Sequence, residues 1–433
     1  MPDKPQMSDA PVAEPDGSLT GQGLRFLLNL RGAAAAWLAV QVLGLAVVLM
    51  VSRWLGPAEY GRLGLALVFG TYACYLSQWG IDPLLTRMLV RDSPDAARLH
   101  LAAFLRQKQF SGLLLLVLGG ILAALWRVPD ERALICLGVL GGLILSFTVA
   151  PAFDARSRIG AYLSFALARQ SAYLLAVLAL WLWGRAFFAA PAVLLASAAG
   201  LSLQILLEWR WVRGNYGALR WEGAFHAGWE LWRAGAPMAI AFAAMQALTL
   251  CGPPLVDALG SAADLGLLVV SNQLAMVAVS FLGLLTRLAH ARLAAIPDTG
   301  GAFFRRRVWL ATLGFTVAGA AVALPLALCA TWLVPLLFGP KFAGAAPIFA
   351  VDAWRAVGVL ASAVLGSALI CQHRVRAYAV CHVLSLLVGA GVAVLGIPAY
   401  GAIAAAAAVA IGRAAFAVFA GVAFLVAGQS RGR

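Results

Sequence analysis

Residues Arg305 to Leu333 read RRRVWLATLGFTVAGAAVALPLALCATWL: three arginines, then a long run without a single charge. An apolar stretch of about 20 residues matches the hydrocarbon thickness of a bilayer, whereas a helix in a soluble core is shorter and keeps a polar face. The same alternation fills the chain. Apolar runs occupy 30–52, 63–83, 110–126, 133–153, 161–183, 191–212, 236–252, 265–286, 309–333, 347–370, 379–396 and 402–425, and arginine is concentrated between them. The fold class that follows is an all-α polytopic membrane protein of about twelve transmembrane helices.

Composition agrees. Of 433 residues, 63% are hydrophobic and 12% charged, with a mean hydropathy of +0.89. The formal net charge of +14 would suggest a nucleic-acid partner in a soluble protein. Its distribution argues for topology and for contact with anionic membrane lipids instead. Arg87, Arg91, Arg98, Arg106 and Lys108 follow the second run, Arg213, Arg220 and Arg233 the sixth, and Arg292 and Arg305 to Arg307 the eighth. Gaps after the first, third and seventh carry few basic residues or none. That asymmetry predicts a multi-pass membrane protein with both termini cytoplasmic, and no nucleic acid bound.

Several classes are excluded. None of the three lysines, Lys4, Lys108 and Lys341, sits in a GxxxxGK[ST] loop, so no nucleotide-driven machinery is expected. Six cysteines without a CxxC pair read as buried small side chains, and no Cys/His metal cluster is visible. No cofactor or metal, and no catalytic residue, is predicted. The Pro- and Asp-rich start lacks the short apolar region of a cleavable signal peptide. The expected organisation is a disordered tail at 1–28, a six-helix bundle at 29–212, an interfacial linker at 213–235, a second six-helix bundle at 236–425 and a tail at 426–433. In the linker, Trp221, Trp229 and Trp232 alternate with charged residues, as suits a helix at headgroup level.

The two halves repeat faintly. LGPAEYG (Leu55 to Gly61) corresponds to LGSAADLG (Leu259 to Gly266), and LLTRMLVR (Leu84 to Arg91) to LLTRLAHAR (Leu284 to Arg292). DARSRIGAY (Asp154 to Tyr162) corresponds to QHRVRAY (Gln372 to Tyr378). With an even number of spans in each half, the two would share orientation as a parallel repeat facing a central cleft.

These gap sequences also carry a family resemblance. SRWLGPAEYGRLGLALV (Ser52 to Val68), SQWGIDPLLTRMLVR (Ser77 to Arg91), LFGPKFAGAAPIFAVDAWRAV (Leu337 to Val357) and IPAYGAIAAAAAVAIGRA (Ile397 to Ala414) resemble polysaccharide flippases. These are O-antigen and exopolysaccharide transporters of the MATE-like multidrug/oligosaccharidyl-lipid/polysaccharide superfamily. The resemblance implies two six-helix bundles, no enzymatic activity and a lipid-linked oligosaccharide as substrate, with polysaccharide polymerase or export proteins as further partners. One departure is clear. Family members often carry an acidic residue within span seven, where this chain reads TLCGPPLVDALGS (Thr249 to Ser261), with Asp257 the nearest carboxylate.

Charges inside the bilayer are the natural candidates for a site, because an arginine at mid-depth costs on the order of 3 kcal/mol. Arg169 in span five, Arg355 in span ten and Arg413 in span twelve qualify. Planar, permanently charged guanidiniums suit the oxygens of a polyprenyl diphosphate. Gln170, Gln204, Gln246, Asn272 and Gln273 would line a wet path for the sugars. The plainer readings are neutralisation of Arg355 by Asp352 one turn earlier, and interhelical pairing for Arg169 and Arg413. Asp352 and His382 are candidates for ion coupling, His382 equally a hydrogen-bonding filler. Arg87, Arg91, Arg156, Arg158, Arg287, Arg374 and Arg376 would ring the cytoplasmic mouth, either orienting the chain or capturing the diphosphate. The expectation is a flippase for polyprenyl-diphosphate-linked oligosaccharide. The alternatives are a cation-coupled multidrug exporter and a membrane glycan polymerase or ligase, which would need a long periplasmic loop that the spacing does not provide.

Overall fold

The structure is a computed structural model. It describes residues 19–126, 128–183, 189–294 and 301–429, with side chains left out at 19–34, Pro83, Asp130, 262–263, 281–294 and 427–429. Fifteen helices follow one another: α1 (Leu19–Gln78), α2 (Asp82–Arg91), α3 (Pro94–Leu125), α4 (Pro129–Ser146), α5 (Ala150–Ala155), α6 (Ile159–Trp183), α7 (Ala190–Tyr216), α8 (Ala224–Leu250), α9 (Gly252–Leu259), α10 (Ala262–Ala294), α11 (Ala302–Phe338), α12 (Ala345–Asp352), α13 (Arg355–Cys371), α14 (Val375–Tyr400) and α15 (Ala402–Gln429). No strand occurs among the described residues.

Among those residues, nine helices are long and apolar enough to cross a membrane, or ten if α8 and α9, bent by 49° at their junction, form one span. The first covers Ala35–Gln78 and joins two of the expected runs across Gly56, whose φ of 74° only glycine adopts freely. The expected eighth run lies in α10, of which the apolar stretch Asp264–Ser280 has described side chains. Twelve is therefore the number expected from the sequence, and the described helices accommodate its runs without fixing the count.

Boundaries shifted for local reasons. The third span was expected from residue 110, yet α3 starts at Pro94: Ser93 caps it by accepting the Ala96 amide, Pro94 fills the first turn, and Asp95 faces the positive helix end. Lys108, expected in a loop, is in consequence fully buried within that helix. The residues expected as an interfacial linker do not form a separate helix, because α8 runs unbroken from Ala224. The expected tail at 1–28 lies outside the described residues up to residue 18, and α1 begins at Leu19.

α1, α3, α4, α6 and α7 pack together, as do α10, α11, α13, α14 and α15. α8 leans across both groups. Its start packs on α3, with Gly228 beside the Ala103 carbonyl, and its end packs on α14, with Leu248 against Gly389. Trp79 donates from Nε1 to the Trp232 carbonyl at 2.9 Å and stacks on that indole, which stacks on Trp229 in turn. The repeat seen in the sequence is present in the backbone. Ser157 (φ 54°) and His373 (φ 58°) occupy equivalent left-handed turns. In each, the next residue's amide reaches back to the fifth carbonyl before it, Arg158 to Phe153 and Arg374 to Leu369, both at 2.9 Å.

Candidate functional site

The two groups of helices meet tightly at one end. Gly61 faces Gly266, so a Cβ on Gly61 would lie 2.8 Å from the Gly266 nitrogen. Tyr60 meets Phe342 edge to face at 6.2 Å, and Arg53 donates to the Leu336 and Leu337 carbonyls at 2.8 and 2.9 Å. A shared apolar core including Val47, Val51, Val270, Phe338 and Phe349 seals this end.

At the other end, where the basic loops lie, a cavity of about 700 Å³ opens between the groups. Gly80, Leu84 and Arg87 line it from the first half, Ala234, Gly235, Pro237 and Met238 from α8, and His373 to Ala377 from the turn before α14 and its first residues. Three of the seven expected mouth arginines, Arg87, Arg374 and Arg376, are on its wall. Arg91 and Arg158 are exposed outside it. Arg156 folds over the Tyr216 ring at 4.4 Å and donates to the Asn215 carbonyl, a packing role. The Arg287 side chain lies outside the described residues.

Deeper in the second half is a buried polar cluster. α12 breaks from α13 at Ala353 and Trp354, which places Asp352 and Arg355 on either side of the break. Arg355 donates to Asp352 Oδ1 from Nε at 2.6 Å and also from Nη2, and its Nη1 donates to Asn272 Oδ1 at 2.7 Å. Ser271 Oγ donates to the other carboxylate oxygen at 3.0 Å. Both charges are almost wholly buried, and such a pair holds only because these further bonds satisfy it. A small cavity beside Arg355 and Asn272, about 10 Å³, touches Thr249 and the broken α8–α9 junction at Gly252 and Pro253.

Arg413 approaches from α15 and donates through Nη2 to Thr249 Oγ1, while its buried Nε has no hydrogen-bond partner. Where the resemblance implies a carboxylate, Gly252, Pro253 and Pro254 stand instead, and the nearby Thr249 hydroxyl receives an arginine. His382 stacks on Phe416 at 4.0 Å and meets Tyr378 edge-on at 4.6 Å. Neither of its ring nitrogens is hydrogen-bonded. Aromatic packing is what the structure gives this imidazole.

Arg169 stands apart in the first half. Its Nε is buried without a hydrogen-bond partner, and the carboxylate acting on it is that of Glu208. Glu208 is fully buried, accepting the Val149 amide at 2.8 Å and the Gln204 amide at 2.6 Å. Sequence reasoning missed Glu208 because it sits in LLEWRWVRGNY, beside the basic end of its helix, and its amide partner lies on another segment. The structure thus brings Arg355, Arg413 and Asp352 into one cluster and leaves Arg169 with Glu208 in the other half.

Among the described residues no group of His, Cys, Asp and Glu could hold a metal ion. No curated protein matches the sequence. Solved structures do match in fold. A multidrug resistance MATE family transporter of the MOP superfamily, inward-facing, superposes with a TM-score of 0.73 at 13% identity, covering 90% of this chain and 94% of that one. The lipid II flippase MurJ, in an inward closed conformation, gives 0.71 at 10% identity over 92% and 90%. The eukaryotic MATE transporter AtDTX14 gives 0.61 at 16% identity over 94% and 99%. None of these is an enzyme. The family described as "Polysaccharide biosynthesis protein" matches residues 50–347, and the chain belongs to it.

Proposed function

We infer that the protein is a flippase carrying polyprenyl-diphosphate-linked oligosaccharide across the bacterial inner membrane for surface polysaccharides such as O-antigen or exopolysaccharide. The observation that carries this reading is the 700 Å³ cavity between halves that are sealed at the opposite end, with Arg87, Arg374 and Arg376 on its wall. A cavity walled by guanidiniums and partly enclosed by apolar helices concentrates an anionic headgroup and repels cations. By the positive-inside rule this end faces the cytoplasm, where both termini would lie.

Arg413, with one free buried donor, and Arg169 are the deeper phosphate contacts in this account. Arg355 holds α10 to the α12–α13 break through Asp352 and Asn272, so its role is positioning unless the pair opens. Bundles 29–212 and 236–425 would rock about the Gly61–Gly266 end, with 213–235 as linker. The polymerase or export proteins would take up the glycan on the far side.

A cation-coupled multidrug exporter shares the fold. Charge separates the two readings: the second-half cluster sets two guanidiniums against one carboxylate, whereas cationic drugs need the reverse. The test is surface glycan display in cells whose only copy carries Arg87, Arg374 and Arg376 changed together to Gln. Loss of display with normal membrane insertion is expected. Normal display, with raised sensitivity to cationic dyes on deletion, would favour the exporter.

A further inference from the structure

A second cavity lies away from the mouth. It is a groove of about 640 Å³ along the outer face of α11, α13 and α15. Its floor is made by small residues, Gly358, Ala361, Ala414 and Gly421 among them, and its rims by Trp309, Trp354 and Val422. The rims are exposed: Trp309 by 38%, Trp354 by 43% and Val422 by 56%. Thr312 and Thr316 also line it, but each hydroxyl donates to a carbonyl one turn back in α11, at 2.8 and 2.7 Å. Both threonine hydroxyls are thus satisfied within α11, and the groove surface is predominantly apolar.

The groove is long. From Ala410 to Leu425 it follows α15 for about 22 Å at 1.5 Å per residue. That exceeds half of the roughly 30 Å hydrocarbon core, so an extended chain has room to lie along it. One end is charged. Arg305, Trp309, Thr312 and Thr316 recur every three or four residues on one stripe of α11, and exposed Arg306 is one turn before Trp309. The groove ends under the indole of Trp309, which Gly421 admits: a Cβ there would lie 3.2 Å from the ring.

We propose that this groove binds one acyl chain of an anionic phospholipid, whose phosphate is held by the exposed Arg306 at the Trp309 end. An exposed guanidinium just beyond an apolar groove, with an indole between them, matches the order of phosphate, interface and hydrocarbon in a lipid. The site is distinct from the polar cluster. Gly358 on its floor touches the Arg413 Cβ, but the Arg413 guanidinium points away, to Thr249 on α8. The occupant is thus a lipid of the surrounding bilayer seated against the helix that carries Arg413.

The test uses the purified full chain in detergent, titrated with phosphatidylglycerol or phosphatidylcholine of identical acyl chains and read by native mass spectrometry. The wild type should retain phosphatidylglycerol preferentially. Arg306→Gln should reduce that preference by about fivefold. Val422→Trp, at an exposed rim, should lower retention of both lipids with unchanged elution. Photo-crosslinking of a diazirine-tailed phosphatidylglycerol to the wild type should label α11 and α15. Equal retention of the two lipids by the wild type, or labelling confined to α1–α7, would each overturn the proposal. Glycan transfer is scored separately, so these results are independent of the flippase reading.

Discussion

Gly61 and Gly266 touch across the interface between the two halves, each being the last residue of one copy of the repeated motif, LGPAEYG and LGSAADLG. A side chain on Gly266 would overlap the Pro57 carbonyl oxygen. Small residues allow such backbone approach in lipid, where no hydrophobic drive holds helices together. The repeat therefore has a mechanical meaning, because its glycines form the contact that closes one end.

Gly266→Val should open that contact. Overpacking costs about 1–3 kcal/mol, more than the closed arrangement can absorb locally. A single cysteine introduced at Tyr60, which is buried here, should become more reactive to a water-soluble maleimide in the Gly266→Val background. Unchanged labelling would place the closing contact elsewhere.

Asp352 and Arg355 form a pair whose members should fail singly. Removing one partner leaves an uncompensated buried charge at a cost of about 3–5 kcal/mol. Arg355→Met or Asp352→Leu should lower thermal stability in detergent markedly, and the double change should recover much of the loss. Additive losses would mean that the two residues act through separate partners.

Much of this arrangement was legible in the sequence, and the limits have physical causes. Apolar runs and arginine gaps report the bilayer directly, and one of the paired motifs marks an equivalent turn in each half, at Ser157 and His373. Asp352 and Arg355, three residues apart, could be paired by eye. Arg413 with Thr249 could not, because 164 residues separate them and the contact exists only once α8 and α15 are packed. Glu208 was hidden likewise: its burial depends on the Val149 amide, contributed from before α5.

Arg413 supplies the test of depth. Thr249→Val removes its one hydrogen-bond acceptor, and a bond to a charged group is worth about 1.5–3 kcal/mol. If the guanidinium serves substrate, Arg413→Gln should abolish glycan transfer while insertion and stability fall little. A protein destabilised by Arg413→Gln as strongly as by the Asp352 change would assign Arg413 a packing role.

The mouth arginines should act through long-range charge. Changing Arg87, Arg374 and Arg376 to Gln should slow substrate capture and flatten its dependence on ionic strength, since each charge contributes about 1 kcal/mol near an anionic surface. The rate at saturating substrate should change little. An unchanged salt dependence of initial uptake would remove the capture role.

The most direct measurement is leaflet exchange by purified protein in sealed liposomes. A fluorescent polyprenyl-diphosphate oligosaccharide is placed in one leaflet, and its exposure is read by impermeant quencher. The account predicts protein-dependent transfer that Arg413→Gln abolishes and that cationic dyes do not compete for. Transfer of dye without transfer of the glycolipid would contradict it.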